Sequence, residues 1–299
     1  SKPKTISSKI EELMVEKTNS INQLNLLNYP DSRILLGFDT SLKLLSKFTD
    51  SLAGIQNGDS PHFLLFFWEL GDVKSKYWTF LQSAVKTTTY YGGCEYIIYY
   101  DSENGHLRAS KEYRRHNLHD SDQRGKEAWG KPGVLVSRMS DLATTMYLGY
   151  PYDQNAAVIL PYTNEEDKLS AIYSFVSSEE FNSTVREIDP KLNVTNSTLI
   201  KVPFDLERWQ KVADEKYPNG LPKPYSGDPT QWLFHGHPLH TESPLQVVIA
   251  RLMGYQWPAE NNEEMELSDE AKEKIKAIKE LELPFDEDGI VCIPSVNGE

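Results

Sequence analysis

Between residues 54 and 165, short apolar runs alternate with turn-forming residues at a pace that no long helix tolerates. Phe63 to Trp68, Glu95 to Tyr100, Gly133 to Arg138 and Asn155 to Leu160 are each only a few residues long. They are rich in β-branched and aromatic side chains and are broken by Gly, Pro, Asn or Asp, as in Asp101-Ser102-Glu103-Asn104-Gly105 and at Pro161. Runs of that length and composition are strands, because an amphipathic helix would need apolar residues recurring every three or four positions over several turns. Phe63 to Trp68 reads as a buried apolar run, and Gly133 to Arg138 alternates apolar and polar. The segment is therefore expected to be mostly β, with irregular excursions.

Helical periodicity brackets this region. Ser7 or Ser8 can cap a helix bearing Ile10, Leu13 and Met14, and a further helix is expected from Thr40 through Leu44, Leu45 and Phe48. After residue 165, Leu169, Ile172, Tyr173 and Val176 share one helical face. A second short helix starts at Glu179-Glu180 and carries Phe181, Val185 and Ile188. Asn193 to Pro203 reads as a strand pair or a strand and turn, and Asp205 caps a helix carrying Trp209 and Val212. Pro, Gly and His then dominate, which marks a linker. Pro244 to Tyr255 reads as a helix with Pro in its first turn and Gly254 as its stop, and Ser268 to Leu281 as another. The expected organisation is a helical connector (1–53), a β-rich domain with packed helices (54–217), a linker (218–243) and a helical extension (244–299). The fold class is α+β.

Composition narrows the function. Charged residues at 25% and hydrophobic residues at 39% describe a globular protein. No apolar run approaches the ~18 residues that a membrane span requires. The opening Ser1-Lys2-Pro3-Lys4 has no starting Met and no signal-peptide core, which fits an internal piece of a longer protein. Cys94 and Cys292 are too few for a disulfide framework, so free thiols in a reducing, cytoplasmic compartment are expected. A net charge of −13 argues against a generic polyanion binder. That charge is uneven. Arg108 to Arg138 holds eight Lys and Arg against four acids, while Glu260 to Asp288 holds twelve acids against four lysines. One basic island on an acidic chain suits contact with nucleic acid over a limited face. A solvated loop is the bland alternative.

Motifs for chemistry are sparse. A methyltransferase acting on a base amino group needs a Gly-rich cradle for S-adenosylmethionine and a polar-Pro-Pro-aromatic loop for the extruded base. The chain has no Pro-Pro pair, and Gly92-Gly93 lies among aromatics without a following helix. His235, His237 and His240 could hold zinc, but Gly236 and Pro238 mark a loop and the spacing fits no standard structural site, so no metal is expected. Glu270-Ala271-Lys272 has the letters of a nuclease motif but falls on an exposed helix. A Gly-x-Ser-x-Gly hydrolase elbow is missing. What remains is a surface. Its candidate DNA contacts are Arg108, Lys111, Arg114, Arg115, Lys126, Trp129, Lys131 and Arg138, with Tyr90 and Tyr91 beside the diglycine. Arg and Lys clamp phosphates or read guanine.

The order of these elements resembles the target-recognition domain of adenine-specific DNA methyltransferases of prokaryotic restriction–modification and phage-defence systems. Gly54-Ile55-Gln56-Asn57-Gly58-Asp59 followed by Phe66-Phe67-Trp68-Glu69 is similar to that domain's opening. Ser177-Ser178-Glu179-Glu180-Phe181 and Leu199-Ile200-Lys201-Val202-Pro203 are similar to its closing helix and strand. Pro244 to Tyr255 and Asp288 to Ser295 look like the C-terminal region of the very large single-chain members. The resemblance implies a double-stranded DNA partner, and an upstream catalytic domain that holds S-adenosylmethionine and methylates adenine. This chain lacks that half, so it carries no cofactor and no catalytic residue of its own. The rival reading is a protein–protein interaction module of a defence complex, with the acidic end docking a basic partner. A hydrolase without recognisable motifs is a third. On the leading reading, the chain mixed with S-adenosylmethionine and mixed-sequence duplex shows neither calorimetric cofactor binding nor methyl transfer. Stoichiometric cofactor binding would refute it.

Overall fold

In the computed structural model, the described residues are 5–15, 42–70, 76–163, 165–224 and 269–280, with isolated positions between 229 and 267. The chain divides into two compact units, Ser1–Leu42 and Lys43–Glu299. In the first, helix α1 (Ile6–Val15) buries none of its residues, and Ile6, Leu13, Met14 and Val15 are each at least three-quarters exposed.

The second unit is α+β, built on two antiparallel sheets. Sheet one contains β1 (Thr49–Ala53), β6 (Gly133–Ser137), β7 (Thr144–Tyr147) and β8 (Ala156–Pro161) in the order β1-β8-β6-β7. Sheet two contains β2 (Leu64–Phe66), β3 (Trp78–Leu81) and β4 (Tyr96–Asp101) in the order β2-β4-β3, and β5 (His106–Leu107) pairs with β4. A four-residue helix, α2 (Ser60–Phe63), leads into β2, and α3 (Lys111–Tyr113) opens the basic segment. Helices α4 (Glu166–Val176), α5 (Glu179–Ile188) and α6 (Leu206–Lys216) follow sheet one. The helix Asp269–Glu280 is α7.

Several expectations are corrected. Thr49–Ala53 pairs residue for residue with β8, so the fold begins before residue 54, and the helix expected through Phe48 is a single 3-10 turn at Leu45–Lys47. The strand expected within 193–203 is a 3-10 turn at Asn196–Ile200. Every residue of β6 is buried. Leu135 packs beneath the sheet with Tyr147, Tyr152 and Val158. Val134 and Val136 point to the opposite face, because successive strand residues alternate, and α4 lies against this strand. Phe175 of α4 holds the helical layer together through ring contacts with Phe181, Phe204 and Trp209. Asp205 caps its helix as expected, whereas α1 is capped by Thr5, whose hydroxyl accepts from the Ser8 amide at 3.2 Å, and Ser7 and Ser8, the expected caps, lie within the helix. Ser178 accepts a hydrogen bond from the Phe181 amide at 3.2 Å, and Asp205 accepts one from the Arg208 amide at 3.1 Å. The linker is described only through residue 224, the helix expected at Pro244 to Tyr255 and the three clustered histidines lie outside the described residues, and no helix among those described is long and apolar enough to cross a membrane.

The residues just after β3 join the two sheets. The Gln82 amide donates to the Pro151 carbonyl at 2.8 Å, and the Gln82 carbonyl accepts from the Asp153 amide at 3.2 Å. Its fully buried side chain donates to the carbonyls of Gly92 at 3.1 Å and Met146 at 2.8 Å, and accepts from the Leu148 amide at 3.0 Å. Beside it, Gly93 takes φ of +85°, and any Cβ there would strike the Ser83 carbonyl. Gly54 is fixed in the same way by the Tyr152 and Asp153 carbonyls. Gly54 belongs to the opening motif that carries the family resemblance.

Gln82→Leu keeps the volume but strands two carbonyls and an amide. Urea unfolding followed by tryptophan fluorescence is expected to show a loss of about 3 kcal/mol. A loss below about 1 kcal/mol would mean that water replaces the side chain and that the joint lies elsewhere.

Candidate nucleic-acid interface

The basic segment leaves sheet two at β5 and is mounted on a buried polar anchor. Ser110 accepts from the Tyr113 amide at 3.0 Å and starts α3, which continues as a π-helical turn at Arg114–Leu118. His119 and Asp120 then both take left-handed backbone angles and reverse the chain. The reversal drives Asp122 into the interior, where it is fully buried. There its carboxylate accepts from the Leu107 amide at 3.1 Å and faces the Arg114 guanidinium at 3.8 Å. Its carbonyl accepts from the Tyr100 hydroxyl at 2.8 Å, and burial pushes that phenol far above its ordinary value. Leu118 inserts into the cluster of Ile98, Phe63 and Leu81. Through these contacts the segment is packed against sheet two and cannot swing freely.

The structure separates the ten candidate residues into two sets. Arg108 closes the sheet: its side chain donates to the carbonyls of Tyr100 at 3.1 Å and Lys76 at 2.8 Å and lies over the Tyr77 ring. Arg114 is committed to Asp122. Arg138 donates to the carbonyls of Val194 at 2.9 Å and Gln154 at 2.9 Å, and burial lowers its pKa. Lys126 donates to the Gln123 side chain at 3.0 Å, and Trp129 packs edge-on against Tyr100 with centroids 5.6 Å apart. Tyr91 donates its hydroxyl to the Pro222 carbonyl at 2.6 Å, and Tyr90 stacks on Tyr173. Lys111, Arg115 and Lys131 are exposed and make no hydrogen bond or ion pair among the described residues. Arg124, also exposed, belongs with them. Surface cations outside hydrogen-bonded networks can turn to meet phosphates, whereas those bound to carbonyls cannot leave without stranding a partner.

Sequence reasoning missed Gln82 and Asp122, whose partners are remote in the chain and leave no local signal. Ile275 of α7 packs with Phe67, Trp68 and Ile97, while Leu118 of the basic segment packs with Ile98. Ile97 and Ile98 are adjacent on β4 and so face opposite sides of sheet two. The basic segment and α7 therefore lie on opposite faces of that sheet. Residues 281–299 lie outside those described. Cys94 is a buried free thiol, and burial pushes its pKa well above the usual range. Among the described residues, no group of three His, Cys, Asp or Glu is placed to hold a metal.

No protein-family model matches the chain, and no curated protein matches it at a significant level.

Arg114 and Arg115 are neighbours in sequence with opposite expected behaviour. Arg114→Ala leaves a buried carboxylate unpaired and is expected to lower stability by about 3 kcal/mol. Arg115→Ala should stay within about 0.5 kcal/mol of the parent. Equal losses, or a reversed order in thermal unfolding, would contradict the anchor.

Proposed function

We propose that this chain is the DNA target-recognition module of an adenine-specific DNA methyltransferase, working beside a catalytic domain that supplies S-adenosylmethionine chemistry. The observation that carries the reading is the rigid mounting of Lys111, Arg115, Arg124 and Lys131 on one excursion of an otherwise acidic chain. An element that reads DNA must hold its cations in register with phosphates, and a segment packed on a sheet does so without ordering a loop on binding. Gly54 of the opening motif supports it further, because the backbone around it requires a glycine. A reducing, cytoplasmic setting suits both the buried free thiol and a DNA partner.

With a net charge of −13, long-range attraction to DNA is opposed, and affinity rests on a few phosphate contacts. Fluorescence anisotropy against mixed-sequence duplex is expected to show weak, strongly salt-dependent binding. Lys111→Ala with Arg115→Ala, or Arg124→Ala with Lys131→Ala, should each reduce the log–log salt slope by about two. If both pairs bind duplex like the parent, the reading gives way to the interaction module. Arg108 and Arg138 are unsuitable for this test, because their loss disturbs the fold.

A further inference from the structure

An open cleft of about 340 Å3 lies where residues 88–90 cross the ends of α4 and α6, lined chiefly by Thr88, Thr89, Tyr90, Tyr173, Lys216 and Tyr217. Its three phenol rings touch one another. Tyr90 and Tyr173 are stacked at 5.9 Å, Tyr90 and Tyr217 meet edge-on at 6.1 Å, and Tyr173 and Tyr217 lie 6.4 Å apart. They are not equally covered. Tyr173 is 2% and Tyr217 8% exposed and form the floor, whereas Tyr90 is 36% exposed and forms a wall. Burial raises all three phenols, which therefore stay neutral through the physiological range.

The wall is held from several directions. The Thr89 amide donates to the Thr144 carbonyl at 3.0 Å, and the Tyr90 carbonyl accepts from the Met146 amide at 2.9 Å and the Thr145 hydroxyl at 3.2 Å. The Tyr173 hydroxyl donates to the Thr89 carbonyl at 3.2 Å, tying α4 to the same strip. An aromatic ring is thus presented to solvent on a backbone that cannot fold it away. A ring fixed with a face open is a stacking platform whose ordering cost has already been met in folding.

Charge selects the ligand. Lys216 places its ammonium 5.3 Å from the Tyr217 centroid, so the site already holds a cation over its rings and repels a second one. That disfavours quaternary ammonium groups, the usual guests of tyrosine clusters. The Thr88 hydroxyl accepts from the Thr144 amide at 3.2 Å, which leaves its proton to donate. The acids Glu166, Asp167 and Asp214 line a separate depression that shares only Tyr217 with this one. A planar ring with a negative group answers every wall: the ring lies on Tyr90, and the anion meets Lys216 and the threonine hydroxyl.

We infer that this cleft binds one unstacked nucleotide, free or within a strand, with its base on Tyr90 and its phosphate at Lys216. The inference goes beyond the recognition reading and uses none of the cations of the basic segment.

The test titrates the full chain with adenosine 5′-monophosphate, adenosine, tetramethylammonium and a single-stranded tetranucleotide, followed by saturation-transfer NMR. The monophosphate is expected to bind, with Tyr90→Ala weakening it about tenfold and Tyr90→Phe retaining it. Lys216→Gln should weaken the monophosphate and leave adenosine unchanged. Lys111→Ala with Arg115→Ala should alter neither, so loss of duplex binding and loss of nucleotide binding are read separately. A tetranucleotide that binds more tightly than the monophosphate, through Tyr90, assigns the site to strands; equal binding assigns it to free nucleotides. No binding of monophosphate to the parent, equal binding by Tyr90→Ala, or preference for tetramethylammonium would each overturn the inference.

Discussion

The buried amide of Gln82 is the joint on which the second unit depends. An amide side chain offers two donors and a carbonyl acceptor, and here the donors serve two carbonyls while the carbonyl takes one backbone amide. Its three partners come from the diglycine segment, from β7 and from the residues just beyond β7. A hydrophobic side chain could fill the same space but could not set the register of three chain segments. A charged one would face two carbonyls without compensation. The excursion 88–91 leaves from the diglycine segment that this joint aligns.

How much of this was legible in the chain depends on how local the signal is. Asp205 announced its helix because a cap bonds within its own turn. Glu95 to Tyr100 announced a strand because its turn followed at once. Thr49–Ala53 was hidden, because a strand that pairs only with a remote partner carries no local cue beyond its composition, and Thr-Asp-Ser-Leu-Ala has little. The site shows the same divide more sharply. Arg108 to Arg138 reads as a uniform basic island, yet half its cations are structural, and nothing in the letters separates Arg114 from its neighbour. The distinction arises from Asp122, whose burial follows from two consecutive left-handed residues, a conformation that Asp and His adopt more often than most but do not advertise.

The charge distribution acquires meaning from where the sheets put it. A chain of net charge −13 repels polyanions at long range, so any contact with DNA must be made by cations close enough to act within the screening distance of the solvent, roughly 8 Å at physiological salt. Lys111, Arg115, Arg124 and Lys131 stand exposed on a segment that is braced from below by sheet two. The helix α7, on the other face of sheet two, carries four acids and four lysines and so adds no net charge of either sign.

The strand order of sheet one carries a consequence for how the chain reaches its native state. β8 lies between β1 and β6, so Thr49–Ala53 has no partner until Ala156–Pro161 has been synthesised. Sheet two, by contrast, is complete within residues 64 to 107. Local pairings close first because short loops lose less entropy on closure. During synthesis the smaller sheet is therefore the first to form, and β1 waits as an open edge that could pair wrongly with a neighbouring chain. Its sequence suits that interval: Thr49, Asp50 and Ser51 make it polar and unattractive to another edge, and its commitment comes only when the central strand arrives.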